Sequence, residues 1–107
     1  MDDLTKVSQY LLGKIYKDYL LNINNGMSKS NAKLIGSSHS VHKKLVPNEL
    51  FDDVEEIMRV LDRAGYLKNS YAGNIVYFSV LTDKTILYME NRFENNMKSI
   101  IDFISKL

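Results

Sequence analysis

Two histidines and four lysines in the segment from Met27 to Val46 are the residues best suited to binding chemistry. His39 and His42 are three residues apart, so on a helix they would share a face and could ligate one zinc ion. A zinc site needs further ligands, but the chain has no cysteine, and no carboxylate occurs in the few residues after His42. We therefore expect no metal site and no cofactor.

Adjacent carboxylates occur at Asp52–Asp53 and at Glu55–Glu56. General acid–base catalysis needs carboxyl groups whose pKa is shifted by burial or by a neighbour in a cleft. These pairs instead fall on the polar face of a helical pattern, and the chain has neither a nucleophile elbow nor a glycine-rich phosphate loop. We therefore expect no catalytic residues and no enzymatic activity.

Charge is sharply divided along the chain, although the formal net charge is only +1. Residues 27–46 contain four lysines and no acidic residue, whereas residues 47–65 contain six acidic residues and two arginines. Clustered basic residues bind nucleic-acid phosphates, largely through the release of counterions. We therefore expect the basic segment to contact double-stranded DNA. The predicted nucleic-acid-binding residues are Lys29, Lys33, His39, Ser40, His42, Lys43, Lys44 and Lys68.

The elements that must position these side chains are clearest between Asp53 and Thr82. Apolar residues recur there at spacings of three and four, which predicts an amphipathic helix over 49–64. Asn48 is its predicted N-cap, and Gly65 can end it in the left-handed conformation.

A β-hairpin is predicted directly after this helix, over residues 66–82. Both arms are rich in aromatic and β-branched residues, and Ala72-Gly73-Asn74 between them is a short turn sequence. Thr82 after the second arm is a further predicted N-cap, with Asp83 in the first helical turn.

The segment FDDVEEIMRVLDRAGYL, followed by the turn and then by LTDKTILYMEN, resembles the C-terminal part of many bacterial winged-helix proteins. It is most similar to the YjcQ-like family of small winged-helix proteins from Gram-positive bacteria and their phages. The resemblance covers roughly residues 50–92 and, more loosely, the first helix. It implies an α+β winged helix-turn-helix with three or four helices, a two-stranded wing and a C-terminal helix. Thr85 departs from the family pattern, which has glycine there, and residues 37–47 are longer than such a domain needs.

Two further helices are predicted before the acidic segment, at 3–23 and 28–35. Asp3 is the expected cap of the first, and Ser28 and Gly36 are expected to begin and end the second. Gly13 lies inside the first helix at a cost of up to about 1 kcal/mol relative to alanine. Gly13 either lets another helix approach closely or is simply tolerated.

Two positions are open for a DNA-recognition helix. One is a short helix at 38–45, which would present His39, His42 and two lysines. The other is the helix at 49–64, which the winged-helix alignment favours and which would leave residues 37–47 as an insert or loop. Five of the eight residues from 49 to 56 are acidic and would face phosphates with like charge. The charges therefore favour the basic segment, with Lys68 of the wing, as the DNA contact.

A single C-terminal helix is predicted over 83–106, because this stretch contains neither glycine nor proline. Its apolar residues follow a heptad-like spacing and define a seam of Phe93, Met97, Ile100, Ile104 and Leu107. The seam packs either on the first helix of its own chain or between two chains. We favour a homodimer, which would place two basic segments and two wings on one face, as two-fold DNA sites require.

The chain of 107 residues is expected to form one domain, with a core at about 3–82 and a C-terminal helix after it. It has no apolar run that could span a membrane, its start is acidic rather than signal-like, and it lacks cysteine, so we expect a cytoplasmic location. The leading hypothesis is a small DNA-binding regulator of transcription from a bacterium or mobile element. The alternative is a protein-interaction module on the same scaffold, which would use the acidic helix 49–64 and the seam.

Overall fold

The computed structural model describes residues 1–107 and shows six helices and one two-stranded antiparallel sheet. The elements are α1 (Lys6–Asn24), α2 (Lys29–Ala32), α3 (Ser38–Leu45), α4 (Phe51–Arg63), β1 (Leu67–Ala72), β2 (Ile75–Leu81), α5 (Asp83–Phe93) and α6 (Met97–Ser105). The predicted α+β fold is confirmed. None of these helices is both long enough and apolar enough to cross a membrane.

Helix α1 provides the centre of the core, and the apolar stripe that predicts it is buried from Leu11 to Leu20. Its N-cap is Thr5, whose hydroxyl oxygen accepts a hydrogen bond from the Ser8 amide at 3.2 Å. The prediction that Asp3 caps this helix is wrong, because the Asp3 carboxylate instead accepts a hydrogen bond from the Tyr66 hydroxyl at 2.8 Å.

Helix α2 is a single turn, shorter than the predicted helix at 28–35. Ser28 caps it as predicted, but Lys33 is its C-cap, and Leu34 forms an isolated antiparallel β-bridge with Val80 of β2. The Ile35 amide donates to the Ser79 carbonyl, and the Leu81 amide donates to the Lys33 carbonyl, both at 2.9 Å. These bonds add a short third segment to the sheet edge and explain why the helix stops early.

Residues 37–47 are mostly helical, so the interpretation of this stretch as a loop is wrong and the short helix at 38–45 is confirmed. Ser37 caps α3 by accepting a hydrogen bond from the Ser40 amide at 3.1 Å. On the inner face of α3, Val41 is buried and the Ser38 hydroxyl donates to the Val76 carbonyl at 3.1 Å. Helix α3 is therefore fixed against the sheet.

Helix α4 matches the predicted amphipathic helix, except at its start. Leu50 occupies the N-cap position and makes no side-chain capping bond, so the prediction that Asn48 caps this helix is wrong. Gly65 follows the helix with a φ of +86°, the left-handed conformation expected of it.

The hairpin turn consists of Gly73 and Asn74, because Ala72 pairs with Ile75. Their φ values of +57° and +63° match a type I′ turn, whose twist suits two antiparallel strands. The Asn69 amide group also donates to the Met58 carbonyl at 2.9 Å, which ties β1 to α4.

The predicted continuous helix over 83–106 is wrong, because it breaks after Phe93. Glu94 and Asn95 both adopt the left-handed conformation, with φ of 50° and 56°, and Asn96 caps α6 by accepting from the Ser99 amide. Asparagine tolerates this conformation and favours caps, which makes the break possible. The Asn95 carboxamide oxygen also accepts a hydrogen bond from the buried Tyr16 hydroxyl at 2.7 Å.

The break turns α6 back onto α1, so the seam lies mainly inside the chain. Phe93, Ile100 and Ile104 are buried, Met97 is partly buried, and only Leu107 is exposed. The seam is therefore unavailable as the dimer contact that we favoured. A homodimer stays a prediction, and it would need another surface.

Candidate functional site

The eight predicted DNA-binding residues fall into three groups in the structure. His39, Ser40, His42, Lys43 and Lys44 belong to α3, Lys29 and Lys33 line a cleft beside α5, and Lys68 is exposed on β1. Lysines that are near one another in the sequence are thus placed among different neighbours by the fold.

Helices α1 and α3 together build one concentration of positive charge. Lys14, Lys17 and Lys44 line a shallow cleft of about 170 Å³. Lys43 precedes Lys44 on α3 and is exposed. We call these four lysines the basic surface. It was not predicted in this form, because Lys14 and Lys17 lie outside the basic segment 27–46 and only the fold brings them near Lys44. Their spacing of three on the polar side of α1 was the available signal.

One acidic residue, Asp18, lies within the basic surface and lines the same cleft. Its carboxylate is 3.7 Å from the Lys44 ammonium, a long and partly exposed contact that contributes little to stability. The Lys14 ammonium donates a hydrogen bond to the Leu45 carbonyl at 3.2 Å, at the C-terminal end of α3. Three lysines and one aspartate leave the cleft with net positive charge.

Lys29 and Lys33 line a different cleft, of about 240 Å³, between α1, α2 and α5. The Lys33 ammonium donates a hydrogen bond to the Asp83 carboxylate at 2.8 Å, and this bond raises the pKa of Lys33. Glu90 lines the cleft as well. The two lysines are therefore balanced by two carboxylates, and this cleft is a weak candidate for binding phosphate.

The two histidines flank Phe51 at the start of α4. The His39 ring stacks on the Phe51 ring with centroids 4.2 Å apart, and the His42 ring meets it edge-on at 5.9 Å. The His42 Nε2 atom lies 2.7 Å from the Glu49 carbonyl oxygen, so this nitrogen carries the proton and donates. No three His, Cys, Asp or Glu side chains are grouped to hold a metal ion. The histidines thus join α3 to α4.

The acidic residues of α4 are divided between solvent and the hairpin. Asp52, Asp53 and Glu56 are exposed. The Glu55 carboxylate instead accepts from the Val76 amide at 2.9 Å and from Arg59 at 3.1 Å. The N-terminal half of this helix therefore has a strongly acidic, solvent-exposed face.

Comparison with protein-family models, curated proteins and solved structures found no match to this chain. The function must therefore be inferred from the arrangement of the chain's own residues.

Proposed function

We propose that the chain is a winged-helix protein of a bacterium or mobile element that binds double-stranded DNA and takes part in transcriptional regulation. The order of elements supports the fold assignment. Leu34, which follows α1 and α2, forms a β-bridge with Val80 of β2, and α3, α4 and a tight hairpin complete the arrangement. Within this scaffold, α4 occupies the position of the recognition helix and the hairpin that of the wing.

The observation that carries the DNA-binding proposal is the convergence of Lys14, Lys17 and Lys44 on one cleft, and Lys43, the residue before Lys44 on α3, is exposed as well. Phosphate binding depends on grouped cations that release counterions from the duplex. Contacts to phosphate position a protein on DNA without recognising a base sequence. The basic surface would thus provide affinity rather than sequence preference.

Helix α4 is a poor candidate for entering a DNA groove. Asp52, Asp53 and Glu56 point into solvent, where they would meet the phosphates that line both edges of a groove. Arg59 donates to the Asn74 carbonyl in the hairpin turn at 2.8 Å and is therefore already engaged. We propose that DNA lies against α1 and α3, away from the acidic face of α4.

Fluorescence anisotropy with a labelled duplex of about 20 base pairs tests this proposal, on protein whose mass in solution has been measured. We expect micromolar binding at low salt. About four phosphate contacts predict a loss of roughly a hundredfold in affinity between about 50 and 200 mM salt. The measured mass also tests the predicted homodimer.

Charge reversal at the basic surface provides the matched comparison. The Lys43→Glu/Lys44→Glu variant should lose at least about tenfold in affinity, because it places two like charges against phosphate. The Lys98→Glu/Lys106→Glu variant changes the net charge equally, on α6 and at its C-cap, and should bind almost normally. Equal losses in both variants, or no binding at low salt, would overturn the proposal.

A further inference from the structure

Tyr19 is the one buried tyrosine whose hydroxyl makes no hydrogen bond within the chain. Three tyrosines are buried, and the hydroxyls of the other two, Tyr16 and Tyr66, donate to the Asn95 carboxamide and to the Asp3 carboxylate. A buried tyrosine hydroxyl usually has such a partner, because an unpaired polar group away from water lowers stability. Tyr19 is only 3% exposed, yet the fold supplies no acceptor for its hydroxyl.

The Tyr19 side chain lines the cleft of about 240 Å³ between α1, α2 and α5. Burial is the main reason why the pKa of Tyr19 is raised, and the charges of three other lining residues, Lys33, Glu90 and Asp83, act on the same pKa. Charges act in this way on a group that lies near them. The hydroxyl is therefore a protonated donor on the side of Tyr19 that borders the cleft.

The four charged side chains of this cleft comprise one ion pair and two free groups. The Lys33 ammonium lies 2.8 Å from the Asp83 carboxylate, which joins α2 to α5. Lys29, four residues before Lys33, and Glu90, seven residues after Asp83, line the cleft without forming a salt bridge. A ligand would thus meet one free cation from α2 and one free anion from α5.

The uncharged part of the lining is mostly apolar. Leu20 is buried, and Ile23 and Ile86 are partly buried. The Asn95 side chain accepts from Tyr16 through its oxygen, which leaves its amide nitrogen as a further donor at the cleft. The cleft is smaller than the roughly 300–1,000 Å³ pockets that hold drug-sized molecules, so it suits a smaller metabolite.

We infer that this cleft binds a free α-amino acid with an apolar side chain. The ligand carboxylate would accept from the Tyr19 hydroxyl and the Lys29 ammonium, and the ligand ammonium would donate to the Glu90 carboxylate. Its side chain would contact Ile23 and Ile86. An anion would meet Glu90 as a like charge and a cation would meet Lys29 so, whereas a zwitterion complements both.

This ligand site is separate from the proposed DNA contact. None of the four lysines of the basic surface lines the cleft that contains Tyr19. The inference therefore adds a small-molecule ligand to the proposed function and does not depend on it.

Isothermal titration calorimetry on the full chain tests the inference, with L-leucine, L-isoleucine, L-methionine and L-phenylalanine as separate ligands. We expect at least one of them to bind with a dissociation constant of about 1 mM or lower. Two analogues of that amino acid separate the contributions of its charges, since the corresponding amine lacks the carboxylate and the corresponding carboxylic acid lacks the ammonium group. Each analogue should bind at least about tenfold more weakly.

Tyr19→Phe should weaken binding of the amino acid about tenfold, because it removes the donor to the ligand carboxylate. The hydroxyl has no partner in the free chain, so the unfolding midpoint of this variant in urea should not fall. Tyr77→Phe is the matched control, since Tyr77 on β2 is 55% exposed and does not line the cleft.

Glu90→Gln removes the proposed acceptor of the ligand ammonium from an exposed position. This variant should bind the amino acid no more tightly than the wild-type chain binds the carboxylic acid analogue, because both pairs lack the same contact.

Failure of all four amino acids to bind would overturn the inference, as would equal affinities for an amino acid and one of its analogues. Unchanged affinity in Tyr19→Phe, or an equal loss in Tyr77→Phe, would do the same. Tyr19→Phe should bind DNA as the wild-type chain does, so failure of this inference is distinguishable from failure of the proposed function.

Discussion

Gly13 of α1 and Ile104 of α6 meet so closely that a Cβ atom on Gly13 would lie 3.0 Å from the Ile104 Cγ1 atom. Helix α6 therefore crosses α1 at Gly13, the only glycine of α1. Of the two interpretations of Gly13, the close approach of another helix is the correct one. We predict that Gly13→Ala lowers the free energy of unfolding by about 1 kcal/mol. The steric cost would exceed the helix-propensity gain of up to about 1 kcal/mol.

A double-mutant cycle in urea separates these two effects of Gly13→Ala. Ile104→Ala removes the opposing atom, so in that background Gly13→Ala should raise the unfolding midpoint instead of lowering it. The same destabilisation in both backgrounds would show that contact with Ile104 is not the cause.

Asn95 has a left-handed φ of 56°, and its side-chain oxygen accepts the hydrogen bond from the buried Tyr16 hydroxyl. We predict that Asn95→Ala destabilises the fold by about 2–4 kcal/mol, because it leaves the hydroxyl unpaired and forces alanine into a disfavoured conformation. Asn95→Gly loses the same bond without the conformational strain, so it should be more stable than Asn95→Ala by about 1 kcal/mol. Equal unfolding midpoints would argue against strain at this position.

The α5–α6 break also shows which parts of the fold the sequence could predict. Helix α4, the hairpin turn and the Thr82 cap follow from residues that are close in the chain. The Thr82 cap appears as predicted, whereas α4 begins two residues later than predicted and Ala72 belongs to β1 rather than to the turn. The break instead depends on the partnership of Asn95 with Tyr16, which is distant in sequence. Local helix propensity therefore favoured one long helix, and tertiary contacts overrode it.

The candidate site was predictable only in part, for the same reason. Lys43 and Lys44 could be predicted as phosphate contacts because they are adjacent in a basic segment. The fold then grouped Lys44 with Lys14 and Lys17 from α1 and paired Lys33 with Asp83 from α5. Such groupings depend on which helices pack together. The order of charges along the chain carries no information about that packing.

Arg59 links α4 to the β1–β2 hairpin, because its guanidinium bonds both Glu55 and the Asn74 carbonyl and lies 4.7 Å from the centre of the Tyr71 ring. We predict that Arg59→Ala costs about 1–3 kcal/mol, since the largely buried Glu55 carboxylate would lose its cationic partner. Hydrogen exchange at the hairpin amides should also become faster.

Arg63→Ala is the control for Arg59→Ala. Arg63 pairs with Glu56 at 3.5 Å on the exposed side of the same helix, so its loss should change stability by less than about 0.5 kcal/mol. Similar losses of stability in the two variants would mean that the link from Arg59 to the hairpin stabilises the fold no more than an exposed ion pair does. DNA affinity should survive Arg59→Ala if α1 and α3 provide the contacts.

The hydrogen bond from the Tyr66 hydroxyl to the Asp3 carboxylate joins the start of the chain to the residue before β1. This bond is the main cause of the lowered pKa of Asp3. Burial, and then the same bond, raise the pKa of Tyr66 from 10.0 to about 12. The two groups therefore link folding to pH at opposite ends of the scale.

The Asp3 contribution to stability should be complete above its unfolded pKa of 3.8 and should be lost as the pH falls through its lower folded pKa. The Tyr66 contribution should be complete below pH 10.0 and should be lost as the pH rises towards about 12. Urea unfolding at about pH 3, 7 and 11 measures both. Tyr66→Phe should flatten the acid end and should remove only part of the alkaline loss, because burial also raises the pKa of Tyr16, Tyr19 and Tyr71. Asp3→Asn should flatten mainly the acid end, because burial of Tyr66 persists without Asp3. An alkaline loss in Tyr66→Phe as large as that of the wild type would show that Tyr66 contributes nothing to it.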